Sequence, residues 1–190
     1  VDLPGGALDV VIDDVCFEYE PGDPVLSSVT LTIAAGTNVA IVGETGAGKS
    51  TLVNLICRFY EPTKGRILID GMDIRDMSLN CLHSALGYVQ QMPHLFSGTL
   101  RENIAYGRPE ASDEEIRAAA SLVSVDRIAA KMKNGYESQV REEGESLSTG
   151  EKQLVSLARA LVRRPSIFIL DEATSSIHTE TEHRLQDAIT

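Results

Sequence analysis

The chain of 190 residues is poor in cysteine, in net positive charge and in long apolar runs. Its three cysteines, Cys16, Cys57 and Cys81, lie far apart. An odd, scattered set excludes a disulfide framework and the paired spacing of a zinc site. They are expected as buried free thiols in a reducing compartment. Lys and Arg number 17 against 28 Asp and Glu, for a formal net charge of −11. That balance excludes a broad nucleic-acid face, which needs clustered cations. It still leaves room for a local positive site that takes a small anion. No apolar run approaches the roughly 18–20 residues that span a bilayer, and no charged-then-apolar leader opens the chain. With 43% apolar and 24% charged residues, the composition is that of a folded globular domain rather than a disordered one. A soluble cytosolic chain is expected.

What the chain does have is a strand-rich front. "LDVVIDDVCFEY" and "VLSSVTLTI" alternate apolar and polar positions around the turn "EPGDP", which predicts two strands. "TNVAIV" (37–42) has no polar face and predicts a strand buried on both sides, as in a parallel sheet. Leu52, Leu55, Ile56 and Phe59 then fall at helical spacing, with Pro62 and Gly65 as the expected stop. "GRILIDGMDI" reads as a hairpin around Asp70-Gly71. From about Ser97 the pattern turns helical. Ser112 and Glu115 stand at capping-box spacing, ahead of an apolar stripe of Ile116, Ala119, Ala120 and Val123. "GEKQLVSLARALVRR" predicts a further helix that stops before Pro165. "SIFIL" (166–170) is a second fully apolar strand, and Asp171-Glu172 follow it at once. The coarse picture is α/β: a β-rich front, a nucleotide-type core, and a helical insertion between the core's two halves.

Two segments carry chemistry. "GETGAGKS" (43–50) fits G-x-x-x-x-G-K-[ST] at a strand-to-helix junction, the pattern of a phosphate-binding loop. Gly43, Gly46 and Gly48 let the backbone curl around an anion. Bare N–H groups and the positive helix end then face a phosphate. Lys49 supplies charge to the β- and γ-phosphates, and Ser50 offers a hydroxyl to Mg²⁺. Glu44, Thr45, Ala47 and Thr51 complete the candidate nucleotide-binding set. The second segment, "IFILDE", ends a strand in paired carboxylates, and strand ends of a parallel sheet point into the ligand crevice. Asp171 is the candidate Mg²⁺ ligand. Glu172 is the candidate general base for the attacking water.

"LSTGE" (147–151), "KQLVSLARAL" and "ILDEATSS" together give the chain a resemblance to the ATP-binding cassette family, most closely to the nucleotide-binding domains of exporter-type transporters. The resemblance covers nearly the whole chain. It implies a RecA-like P-loop NTPase core (about 36–96 and 161–190). An N-terminal antiparallel β-subdomain (about 1–35) and an inserted helical subdomain (97–160) that bears the signature complete it. By the same resemblance Tyr19 stacks on adenine, and Gln91 reaches Mg²⁺ and the attacking water, joining Lys49 and Glu172 as catalytic candidates. Ser148 and Gly150 cap the γ-phosphate held by a second subunit. The region of Phe96 and Arg101 meets a transmembrane domain. The implied assembly is a head-to-tail dimer, of like or unlike halves, that closes on two ATP molecules at the cytoplasmic face of a membrane. A soluble cassette ATPase and a nucleotide-binding module without turnover are the alternative functions.

Three departures bear on activity. Thr149 and Glu151 depart from the commonest signature, LSGGQ, and a carboxylate at 151 opposes a triphosphate unless it points away. His178 stands where the family has an aspartate that bridges the two sites. His183 lies too early to be the family's switch histidine, and the chain ends at Thr190, before that histidine's place. The expectation is a domain cut from a longer polypeptide whose membrane domain preceded Val1. Alone, it is expected to bind ATP and to hydrolyse it weakly or not at all.

Overall fold

The alternating front segment builds a sheet around one central strand. The computed structural model describes residue 3 and residues 6–90, 92–140 and 147–171. It divides into two units, Val1–Leu86 and Gly87–Thr190. In the first, β1 (Val10–Glu18) pairs antiparallel with β2 (Pro24–Ile33) on one side and with β3 (Lys64–Ile69) on the other. β4 (Met72–Asp73) extends the sheet to the order β2-β1-β3-β4. Val10 faces both Ile33 and Ile69. Ile12, Val15, Ile67 and Ile69 are fully buried. Asp13-Asp14 interrupts the alternation of β1 and makes a bulge there, with Asp14 at φ 49°. Gly65 crosses this bulge so closely that a Cβ on it would lie 2.3 Å from the Asp14 carbonyl oxygen, which only glycine permits. Lys64 and Arg66 pair with Asp14 and Asp13 at 3.0 and 2.9 Å.

The hairpin forms as expected. Asp70 and Gly71 both have positive φ, 50° and 74°, as a two-residue type I′ turn requires. The helix after the glycine loop is shorter than expected. α1 spans Lys49–Ile56 and stops six residues before Pro62. Phe59 N–H donates to the Asn54 carbonyl and Arg58 N–H to the Leu55 carbonyl, the two bonds of a Schellman ending. Arg58 takes the left-handed position at φ 55° that glycine usually fills. Its guanidinium holds it there through the Ile74 and Met77 carbonyls (3.0 and 2.9 Å) and Glu61. The Ile74 and Met77 carbonyls are remote in sequence, whereas the local signal for a stop is Pro62.

The expected strand at 37–42 does not form. The segment has no regular structure, and Val39, Ile41 and Val42 are exposed, Val42 to 87%. A run apolar on both faces becomes a strand only where neighbours accept its N–H and C=O groups. No described strand pairs with it. The thiols also differ from expectation: Cys57 is buried, and Cys16 and Cys81 are half-buried. Burial pushes the Cys57 thiol up to about 12. Cys16 Sγ accepts the Ser28 N–H at 3.2 Å. α2 (Leu79–Ala85), capped by Ser78, closes this unit.

The second unit is mainly helical. α3 (Leu100–Ala105), α4 (Asp113–Leu122), α5 (Val125–Lys131) and α6 (Thr149–Leu161) share one core. Leu100, Ile104, Ile116, Ala120, Val125, Val155 and Leu157 lie at its centre. Ser112 and Glu115 form the expected capping box, and all four predicted stripe residues of α4 and its end are buried. β6 (Gly98–Thr99) pairs with β7 (Gln139–Val140). β5 (Leu86–Val89) pairs with β8 (Ile167–Leu170). Arg164 adopts φ 55° past α6, and Pro165 follows. β8 forms where expected but is not fully buried: Ile167 to Ile169 are half-buried and Leu170 is exposed. β5 is its one described partner.

Candidate functional site

The glycine loop is laid out for an anion. Residues 43–47 are exposed, and a turn closes from Ala47 N–H to the Glu44 carbonyl at 3.1 Å. Gly46 has φ 85°, and a Cβ there would meet nothing within 4 Å. Gly48, also at φ 85°, is the N-cap of α1 and makes no side-chain cap. A Cβ on Gly48 would lie 2.6 Å from Leu26 Cδ2, so a side chain there would strain the turn and press on β2. The first N–H groups of α1 are thus directed at an exposed, positive helix end. Lys49 Nζ donates to the Gly43 and Glu44 carbonyls, both at 2.8 Å. Its ammonium therefore lies over the loop where a phosphate's charge would sit. Ser50 follows in the first turn, on the exposed side.

Tyr19, just past β1, is half exposed at 50%. Its hydroxyl is 3.1 Å from that of Thr51, itself buried in α1. The candidate adenine platform is thereby tied to the helix that carries Lys49. Phe17 and Tyr60 pack edge-on to Tyr19, with centroids at 4.8 and 5.2 Å. Tyr60 belongs to no motif of the sequence: the helical spacing there names Phe59, and no local signal links Tyr60 to Tyr19.

In the second unit Asp171 stands at the end of β8. Its N–H donates to the Val89 carbonyl at 3.0 Å, and the Tyr88 hydroxyl lies 3.5 Å from its Oδ2. Ser148 is the N-cap of α6. Its hydroxyl accepts the Glu151 N–H at 3.3 Å, while Glu151 Oε2 accepts both the N–H and the hydroxyl of Ser148 at 2.9 Å. The bond from the Ser148 backbone, then that from its hydroxyl, hold the Glu151 carboxyl below its ordinary value. Glu151 is thus turned back onto its own helix end, beside Gly150. Phe96 lies at the edge of exposure, and Arg101 Nε donates to Asp113 at 2.8 Å. The loop around Phe96 is held by Arg159, which donates to the His94 and Asn103 carbonyls at 2.8 Å and lies over the Phe96 ring. Burial brings the Arg159 guanidinium down to about 10. Gln91, Glu172, His178 and His183 lie outside the described residues.

The donor set fits a nucleotide with magnesium. A glycine loop, a lysine and a helix end suit a triphosphate. Magnesium takes one or two protein oxygens and the rest from phosphate and water, and the Ser50 hydroxyl beside the loop is an oxygen of that kind. Among the described residues no three His, Cys, Asp or Glu side chains converge on a metal site.

The sequence profile described as ABC transporter matches residues 26–175. The chain belongs to the ABC transporter family. It is 50% identical over 188 residues to a fatty acid ABC transporter ATP-binding/permease protein of Mycobacterium bovis, covering 99% of this chain and 30% of that protein. It is 44% identical over 190 residues to a putative multidrug export ATP-binding/permease protein of Staphylococcus aureus, covering 100% and 32%. A solved bacterial Atm1-family ABC exporter with ATP bound superposes with a TM-score of 0.91 at 42% identity, covering 100% of this chain and 34% of that one. The chain thus spans about a third of the length of these relatives. It has the mixed α/β fold of an ABC ATPase, with the antiparallel sheet and helices described above. Among the described residues no helix is long and apolar enough to cross a membrane.

Proposed function

We propose that this ABC domain is the ATP-binding and ATP-hydrolysing motor of an exporter, working at the cytoplasmic face of a membrane. The supporting observation is the exposed loop at 43–50, with left-handed Gly46 and Gly48 and the Lys49 ammonium held over its carbonyls. In this reading the loop amides and Lys49 hold the β- and γ-phosphates, and Tyr19 takes the adenine. Ser50, Asp171 and Gln91 hold Mg²⁺, and Glu172 is the general base. Ser148 and Gly150 close on the γ-phosphate of a second nucleotide-binding domain, in a head-to-tail homo- or heterodimer. Residues from Phe96 to Arg101 meet the transmembrane domain. Within the chain, the RecA-like core comprises about 36–96 and 161–190, the β-subdomain about 1–35 and the signature subdomain 97–160. ATP contributes contacts present only in the closed pair, and its hydrolysis removes them, so a cycle of closing and opening drives alternating access.

Calorimetric titration with Mg·ATP tests the reading. The wild-type chain is expected to bind, and Lys49→Ala to abolish binding while melting at the wild-type temperature. Absence of heat from folded wild-type protein at millimolar Mg·ATP overturns it.

A further inference from the structure

Tyr19, Phe17 and Tyr60 form a triangle of ring centroids with sides of 4.8, 5.2 and 5.7 Å. The three rings thus form one cluster, in which Tyr19 remains 50% exposed. The rings stand at 88° and 89° to Tyr19, the edge-to-face arrangement that aromatic quadrupoles favour. Phe17 is a buried residue of β1 and fills the core. Tyr60 is different: it lies beyond the Arg58 turn and is 47% exposed, so the core does not need its ring. A third contact fixes the same side chain, the 3.1 Å approach of the Tyr19 and Thr51 hydroxyls. Thr51 is the third residue of α1, two past Lys49.

We propose that Tyr60 is a positioning residue for nucleobase recognition, holding the Tyr19 ring as a preset platform whose phenol is fastened at Thr51 to the phosphate-loop helix. The inference rests on the nucleotide reading above and adds to it a residue that touches neither phosphate nor base. A half-exposed tyrosine that must be ordered on binding costs affinity, and one already ordered does not. Three contacts from β1, from the segment after α1 and from α1 itself remove that cost beforehand. The benefit falls on ligands that carry a base and not on a bare polyphosphate.

That difference supplies the test. Mg·ATP and Mg·tripolyphosphate are titrated into the whole chain by calorimetry, with the rise in melting temperature at millimolar ligand as a second readout. Tyr60→Leu is expected to weaken Mg·ATP by about threefold to tenfold, the value of an edge-to-face pair expressed as affinity. Mg·tripolyphosphate is expected to bind that variant as it binds the wild type. Tyr60→Phe keeps the ring and is expected to restore the wild-type response to ATP. Equal losses for both ligands, no loss for either, or failure of Tyr60→Phe to restore ATP binding overturns the buttress. In each of these outcomes nucleotide binding by the wild type stands. Wild-type protein that responds to neither ligand overturns the nucleotide reading and the buttress with it.

Discussion

Gly46 and Gly48 share a left-handed φ of 85° but not their surroundings. An alanine at Gly46 meets open space, so its cost is that of the left-handed backbone alone, about 1–2 kcal/mol. An alanine at Gly48 meets Leu26 Cδ2 at 2.6 Å as well. Overpacking of that kind adds about 1–3 kcal/mol. Gly48→Ala is therefore expected to lower the urea midpoint by clearly more than Gly46→Ala. Equal shifts would mean that Leu26 moves aside freely and that the contact between loop and β2 carries no constraint. The pair differs in what the structure asks of each: Gly46 takes the left-handed turn alone, and Gly48 takes it together with the seat of α1 against the sheet. The pattern G-x-x-x-x-G-K-S fixes Gly48 and leaves Gly46 as an open position, so neither role is visible in it.

The start of α4 shows what a local signal can specify at the level of an element. Ser112 and Glu115 cap it reciprocally, and Arg108 pairs with the Glu115 carboxylate. The Arg108 hydrogen bond, followed by the Ser112 N–H, brings the Glu115 carboxyl from 4.5 to about 2. A carboxyl lowered on folding contributes stability above its unfolded value and loses it as pH falls through the folded one. The contribution of Glu115 should therefore be complete above about pH 4.5 and vanish toward pH 2. Glu115→Gln keeps an acceptor for the Ser112 N–H but removes the charge. In denaturant titrations across that window its stability is expected to fall less steeply than that of the wild type; parallel curves would assign the pair no role. Elements written in contiguous residues were legible in this way: β1 and β2 from alternation, the Asp70-Gly71 hairpin from its turn, α4 and α6 from caps and breakers. Those decided by distant partners were not. Arg58 ends α1 because Ile74 and Met77 hold its guanidinium, and the run at 37–42 lacks a described ladder neighbour. The site divides in the same way. The glycine turn and the helix start after it are contiguous and were readable, whereas the approach of Tyr19, Thr51 and Tyr60 joins three separate stretches of the chain.

At the scale of the whole molecule the acidic balance sets a condition on pairing. Two copies at a net charge of −11 each repel one another, and a triphosphate adds negative charge unless magnesium and Lys49 offset it. If the chain pairs head to tail with itself, association must come from contacts that nucleotide supplies in the closed state alone. Sedimentation velocity is expected to show monomer without ligand and a dimer with a non-hydrolysable Mg·ATP analogue. Lys49→Ala, which the proposed nucleotide reading deprives of its phosphate contact, is expected to remain monomeric in both. Raising salt from about 0.02 M to about 0.15 M shortens the screening length to about 8 Å, so the dimer fraction should rise, opposite to the trend for a pair held by attractive surface charges. A dimer present without nucleotide, or one that salt dissolves, would show that something other than bound triphosphate joins the copies. Monomer under every condition would point to an unlike cassette as the partner, a choice that mixing with a candidate second domain in the same experiment resolves.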